Sequence, residues 1–112
     1  MSISEDFEVV IVGADGEAVV YLGGELDLAV RDLLVDALTA ALDMRDRLVI
    51  DLSRTTFIDS TGLKVLVDVW RHRQDAGLEL VLREPSPAVM YTLQVAGLAD
   101  LLPLDATNRS TL

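Results

Sequence analysis

The run Leu48–Leu52, Leu-Val-Ile-Asp-Leu, constrains this chain most. It is too short for a helix and almost wholly apolar, so it reads as a buried central strand. Such a strand needs covering layers, and its neighbours supply them. Ala29–Asp43 carries Val30, Leu33, Leu34, Ala37, Leu38, Ala41 and Leu42 at i, i+3, i+4, i+7 spacing, with Arg31, Asp32 and Asp36 off the stripe. Asp27 stands where it can cap that helix. Ser60–Asp75 is a second helix, ending near Gly77, with Leu63, Leu66, Val67 and Trp70 on one face. A strand held between two amphipathic helices implies an α/β layer.

The remaining segments extend the pattern. Phe7–Val12 and Ala18–Leu22 read as strands joined by a turn over Gly13–Gly16, hence an antiparallel hairpin. Ser53–Asp59 reads as a loop carrying one aromatic, Phe57. Leu78–Leu82 is a further strand. Ser86-Pro87 opens a third helix, Ser as cap and Pro at the first helical position, and Gly97 closes it, with Leu98 folding back on Leu93. Leu101–Leu104 completes the order β-β-α-β-α-β-α-(β). Strand-helix-strand units favour right-handed crossovers and parallel pairs. The expected fold is a small mixed sheet of four or five strands covered by three or four helices. Residues 1–112 form one domain in this reading, with a polar tail from about Asp105.

Composition narrows the function. Hydrophobic residues make up 51% of the 112, enough for a sizeable core, and there is no Cys. No apolar run approaches the roughly 20 residues that span a bilayer. The N-terminus is acidic where a secretory signal is basic, so a cytoplasmic location is expected. The net charge of −10 argues against nucleic acid and against an anionic membrane surface. It favours a partner with a basic face. Eight Arg stand against a single Lys, Lys64, which fits codon bias in a GC-rich genome.

Chemistry concentrates where the loop after the central strand meets the second helix, at Asp59-Ser60-Thr61-Gly62. The bland reading of Ser60 is a helix cap. Against it stand a neighbouring hydroxyl on Thr61, a helix-weakening glycine at 62, and the location at a strand's carboxyl end, where open α/β folds place their sites. A phosphate on Ser60 would meet unpaired amides and the positive end of a helix dipole. It would add about −1.5 to −2 charge, so its effect should fall on a docked partner and leave the fold intact. Asp59 and Asp27 oppose it modestly. A helical wheel sets Val65 opposite the core face beside Asp68 and His72, as an outward apolar contact for a partner.

Two motifs stand out, Leu22-Gly23-Gly24-Glu25-Leu26-Asp27 and Asp51-Leu52-Ser53 with Phe57-Ile58-Asp59-Ser60-Thr61-Gly62-Leu63, and with them the chain resembles the STAS-domain family of bacterial anti-sigma factor antagonists. The first is similar to the family's L-x-G-E-L-D. Asp51-Leu52-Ser53 followed by Phe57-Ile58-Asp59-Ser60-Thr61-Gly62-Leu63 resembles its D-L-S…F-I-D-S-S/T-G-L. Ala96-Gly97-Leu98 is a weaker third match. The resemblance implies an antagonist that binds an anti-sigma factor, itself a serine kinase, and so releases a sigma factor. The kinase would use its own ATP to phosphorylate Ser60, with Thr61 a minor alternative acceptor. The phosphorylated form would let go, and a metal-dependent serine phosphatase would restore it. The expected docking face comprises Gly24, Glu25 and Asp27, then Asp59, Thr61 and Gly62 around the acceptor, and Lys64, Val65 and Asp68 on the outer side of the helix. No cofactor or metal is expected in the chain itself, and weak homodimerisation stays open. The short C-terminus leaves little room for the final helix of many members.

Three rivals remain. A serine hydrolase needs a base near Ser60, but the one His, His72, lies about three turns along the helix, roughly 18 Å away. Residues 58–62 also read Ile-Asp-Ser-Thr-Gly, not G-x-S-x-G. A nucleotide site lacks the G-x-x-x-x-G-K-[ST] cradle, and Asp27 with Asp59 are only two carboxylates for a metal. Within the fold, the domain could instead serve a stress-sensing or lipid-transport complex or a transporter tail, the last disfavoured by a stand-alone length with an intact D-S-T-G.

Overall fold

The computed structural model describes residues 7–44 and 46–105. Strands β1 (Phe7–Ala14) and β2 (Glu17–Leu26) form the antiparallel hairpin. A 3-10 turn, Leu28–Val30, leads into helix α1 (Arg31–Ala41). Strand β3 (Arg47–Asp51), strand β4 (Thr55–Ile58), helix α2 (Ser60–Asp75), strand β5 (Leu80–Arg83), helix α3 (Pro87–Val95) and strand β6 (Leu104–Asp105) follow.

The sheet has six strands in the order β1-β2-β3-β5-β6, with β4 also paired to β2. Only β1 with β2 is antiparallel; the other pairs are parallel. The sequence expectation of four or five strands is therefore low by β4, taken there as loop. Thr55–Ile58 is four residues long and follows a turn, so nothing local marks it. It becomes a strand because β2 outruns β3. The first half of β2 pairs with β3, and Gly24–Leu26 in its second half pair with β4, with an irregularity between Gly24 and Glu25. Asp105, assigned to the tail, pairs with Arg83 in the last strand, and the polar tail beyond it lies outside the described residues.

Ala18, Val20 and Leu22, Leu48 and Ile50, and Leu80 and Leu82 form one buried face. Leu34, Leu38 and Ala41 of α1 and Leu63, Val65, Leu66 and Val69 of α2 join the same core. Within the α1 stripe Leu33 is exposed, while Val35 is partly buried toward α2. Ser86 caps α3 as expected, accepting from the Val89 amide, and also donates its hydroxyl to the Thr55 carbonyl, fastening α3 to β4. Gly97 and Leu98 donate back to Gln94 and Leu93.

Arg73 has no solvent exposure. Its guanidinium donates to the carbonyls of Leu42, Met44, Asp46 and Glu79, tying the end of α1, the connection into β3 and the entry to β5 to the last turn of α2. Burial lowers its pKa, while Asp43 and Glu79 push the other way.

Candidate functional site

Ser60 is the first residue of α2 and is exposed. The cap is Asp59, not Ser60. Asp59 Oδ1 accepts from the Gly62 amide at 3.0 Å, and Oδ2 accepts from the Leu28 amide at 3.3 Å. One carboxylate thus ties together the starts of two helical segments. Asp27 caps the 3-10 turn by accepting from Ala29 at 3.1 Å, as its position suggested. The backbone reinforces the junction, since Asp59 N–H donates to the Leu26 carbonyl at 3.2 Å. With the cap supplied next door, the Ser60 hydroxyl makes no hydrogen bond among the described residues.

Gly62 is buried, and its reason is internal. A Cβ there would press into the Leu26 carbonyl and lie 2.9 Å from Ile58 Cγ1. The close neighbour inferred from this glycine is the chain's own strand β2, not another molecule.

Val65 requires a second correction. It is 7% exposed and belongs to the core. A wheel drawn against one partner surface puts it outside. In the fold α2 meets the sheet on one side and α1 on another, and the α1 side takes Val65 and Val69.

A cavity of about 370 Å³ opens at the head of these helices, lined by Leu28, Arg31, Ser60, Thr61, Lys64, Val65 and Asp68. A second groove of about 190 Å³ runs on between α1 and α2 and shares Arg31, Val65 and Asp68. Of the expected docking residues, Thr61, Lys64, Val65 and Asp68 are thereby gathered with Ser60. Asp27 and Asp59 sit beneath as caps. Gly24 and Glu25 belong to the β2–β4 ladder and line neither groove. Leu28 and Arg31 were not singled out in the sequence. Nothing there distinguishes them, because only the packing of α1 beside α2 brings them to Ser60. Lys64 pairs with Asp68 at 3.1 Å and Arg31 with Asp32 at 3.2 Å, both exposed pairs of small energetic weight.

Behind the site, Asp51 of the first half of the long motif is structural. Its Oδ1 accepts from the Ser53 hydroxyl at 2.6 Å and amide at 3.0 Å, and its Oδ2 from Arg83 Nε at 2.9 Å. Burial alone would raise its pKa; Ser53 and Arg83 outweigh that and hold it below the usual carboxylate range. Arg83 also lies over the Tyr21 ring, 5.7 Å from its centroid.

His72 Nε2 meets Asp43 Oδ1 at 2.7 Å toward the other end of α2. It therefore has its own carboxylate and gives Ser60 no base. Among the described residues no three His, Asp or Glu side chains gather to hold a metal, and no helix is long and apolar enough to cross a membrane.

The site is thus an exposed serine that opens the helix following β4 of a mixed sheet. The family model described as "Mlab, STAS domain" matches residues 10–103, and the chain belongs to the STAS-domain family. The anti-sigma F factor antagonist of Paenibacillus polymyxa is 29% identical over 91 residues, 80% of this chain and 78% of that protein. Sulfate transporter 1.3 of Arabidopsis thaliana is 38% identical over 58 residues, but the chain spans only 9% of its length. A solved anti-sigma factor antagonist from Mycobacterium paratuberculosis superposes with a TM-score of 0.80 at 27% identity, covering 98% of this chain and 94% of that one.

Proposed function

We propose that this chain is an anti-sigma factor antagonist whose unphosphorylated form docks an anti-sigma serine kinase and whose switch is Ser60. The observation that carries the proposal is the free hydroxyl. Asp59 does the capping, so Ser60 stands exposed at the mouth of the α1–α2 groove, its hydroxyl unbonded among the described residues. Antagonist relatives matching most of the chain support the class.

In the kinase-bound complex, the Ser60 oxygen attacks the γ-phosphorus of the partner's ATP. The P–O bond to ADP breaks, and the hydroxyl proton passes to a base on the kinase. The new phosphate adds about −1.5 to −2 charge at the groove mouth and expels the partner. A serine phosphatase then returns the hydroxyl by hydrolysis. The chain supplies the acceptor and no catalytic group of its own.

The test compares Ser60→Ala with Ser60→Asp for binding to the anti-sigma factor. Asp is expected to weaken binding by at least ~100-fold, about 2.7 kcal/mol. Equal affinities would refute repulsion as the mechanism. Mass spectrometry after incubation with kinase and ATP should find phosphate on Ser60; phosphate confined to other residues would sink the assignment. A second reading, a STAS subunit of a lipid-transport assembly, is favoured only by the name Mlab on the matching family model. It predicts co-purification with a transport complex and no response to the kinase.

A further inference from the structure

Strand β1 is a sheet edge whose outer side is open among the described residues. Its hairpin turn is Asp15-Gly16, both at positive φ (49° and 80°), and Ala14 pairs with Glu17 across it. That is type I′ geometry, in which the closing pair is hydrogen-bonded. Residues 14, 12, 10 and 8 therefore bond to β2, and Phe7, Val9, Ile11 and Gly13 turn their N–H and C=O groups outward. The strand is also apolar on both faces. Val9 and Ile11 are 36% and 42% exposed on the helix side, and Val10 and Val12 are 48% and 47% exposed on the other. Exposed edges are normally blunted by Lys, Pro or a bulge. Phe-Glu-Val-Val-Ile-Val-Gly-Ala contains neither residue and pairs with β2 in unbroken register.

We propose that β1 is an interaction surface for a second copy of this chain, the two β1 strands pairing antiparallel so that the sheets join. A strand that satisfies this edge must itself be apolar on both faces, and β1 has that pattern. The outward groups limit the register, because only odd-numbered residues can bond. A two-fold axis at Ile11 sets Ile11 against Ile11 and Val9 against Gly13 of the second copy, and one at Val10 sets Val9 against Ile11 and Phe7 against Gly13; both overlap seven residues of β1. Centring on Val9 would pair only residues 7–11. With the axis at Ile11, the strand's single charge, Glu8, falls opposite uncharged position 14, so no like charges meet.

The four side chains and one ladder are small against the ~1,200 Å² of a standard interface, so association is weak, with Kd on the order of 100 μM or above. Each copy carries a charge of −10, and that repulsion opposes pairing. Salt therefore strengthens this contact, the reverse of its effect on a basic partner. No β1 residue lines the Ser60 grooves, so the proposal is independent of the switch.

Sedimentation velocity on the full chain, up to about 1 mM protein and in both low and high salt, tests it. A concentration-dependent dimer, stronger at high salt and lost in Ile11→Lys with an unchanged circular dichroism spectrum, is expected. The chain has no cysteine, so Ile11→Cys gives an independent measurement. Directly opposed residues sit about 4.5–5.5 Å apart between Cα atoms, within disulfide reach, so mild oxidation should link Ile11→Cys into dimers if the axis is at Ile11 and Val10→Cys if it is at Val10. The rate should exceed that of Asp36→Cys, an exposed control on α1, by at least about tenfold. A monomer under both salt conditions, or linkage of both cysteine variants no faster than in the control, overturns the proposal.

Discussion

At the scale of single residues, Ser60 and Asp59 divide two roles that lie one position apart. Asp59 holds the Gly62 and Leu28 amides, and the Ser60 hydroxyl makes no hydrogen bond among the described residues. Ser60→Ala should change stability by no more than ~0.5 kcal/mol, as for an exposed residue outside any network. Asp59→Ala should cost about 1–2 kcal/mol through the lost cap alone. Urea denaturation of both variants measures this directly, and a Ser60→Ala loss as large as that of Asp59→Ala would restore Ser60 as a cap. Gly62 is a sharper case. Any Cβ collides with the Leu26 carbonyl, so Gly62→Ala should destabilise by roughly 2–3 kcal/mol despite its better helix propensity. An unchanged denaturation midpoint would mean that the strand–helix contact yields freely.

At the scale of elements, two buried charged groups tie neighbouring elements together. Arg73 collects four carbonyls from three chain segments. Arg73→Met keeps the stem but strands those acceptors, and a loss on the order of 3 kcal/mol is expected in thermal or urea unfolding. Asp51 links β3 to β5 through Arg83. Its pKa is lower in the fold than in the unfolded chain, so its contribution is complete above about pH 4. That contribution fades as pH falls through the folded-state value, because protonation then favours the unfolded chain. Asp51→Asn should therefore be less stable at neutral pH and lose less on acidification. Parallel stability–pH curves for the two proteins would dismiss the ion pair.

At the scale of the whole molecule, the charge of −10 acts over distances no single pair covers. If the partner presents a basic face, association should slow at least about tenfold as salt rises from low to high, with little change in dissociation. Stopped-flow kinetics across salt concentrations check this, and a flat on-rate would show that steering plays no part. The same field opposes edge pairing of two copies, so the two contacts should respond to salt with opposite sign.

Much of this was legible in order along the chain. Periods of 2 and 3.6, capping residues and turn glycines are local properties, and they located the hairpin, the three helices and most strands. Asp27, Ser86 and Gly97 were readable because each acts within a few residues of itself. What the linear pattern could not carry was pairing at a distance. Thr55–Ile58 is a strand only because β2 extends past β3. Val65 is buried only because α1 lies beside α2. Gly62 is required only because the end of β2 passes against its backbone. Leu28 and Arg31 reach Ser60, and Arg73 reaches four carbonyls, through the same non-local packing. The sequence determined which segments fold and where their caps and turns lie; the tertiary structure decided what each residue faces, because a neighbour distant in sequence leaves no periodic trace.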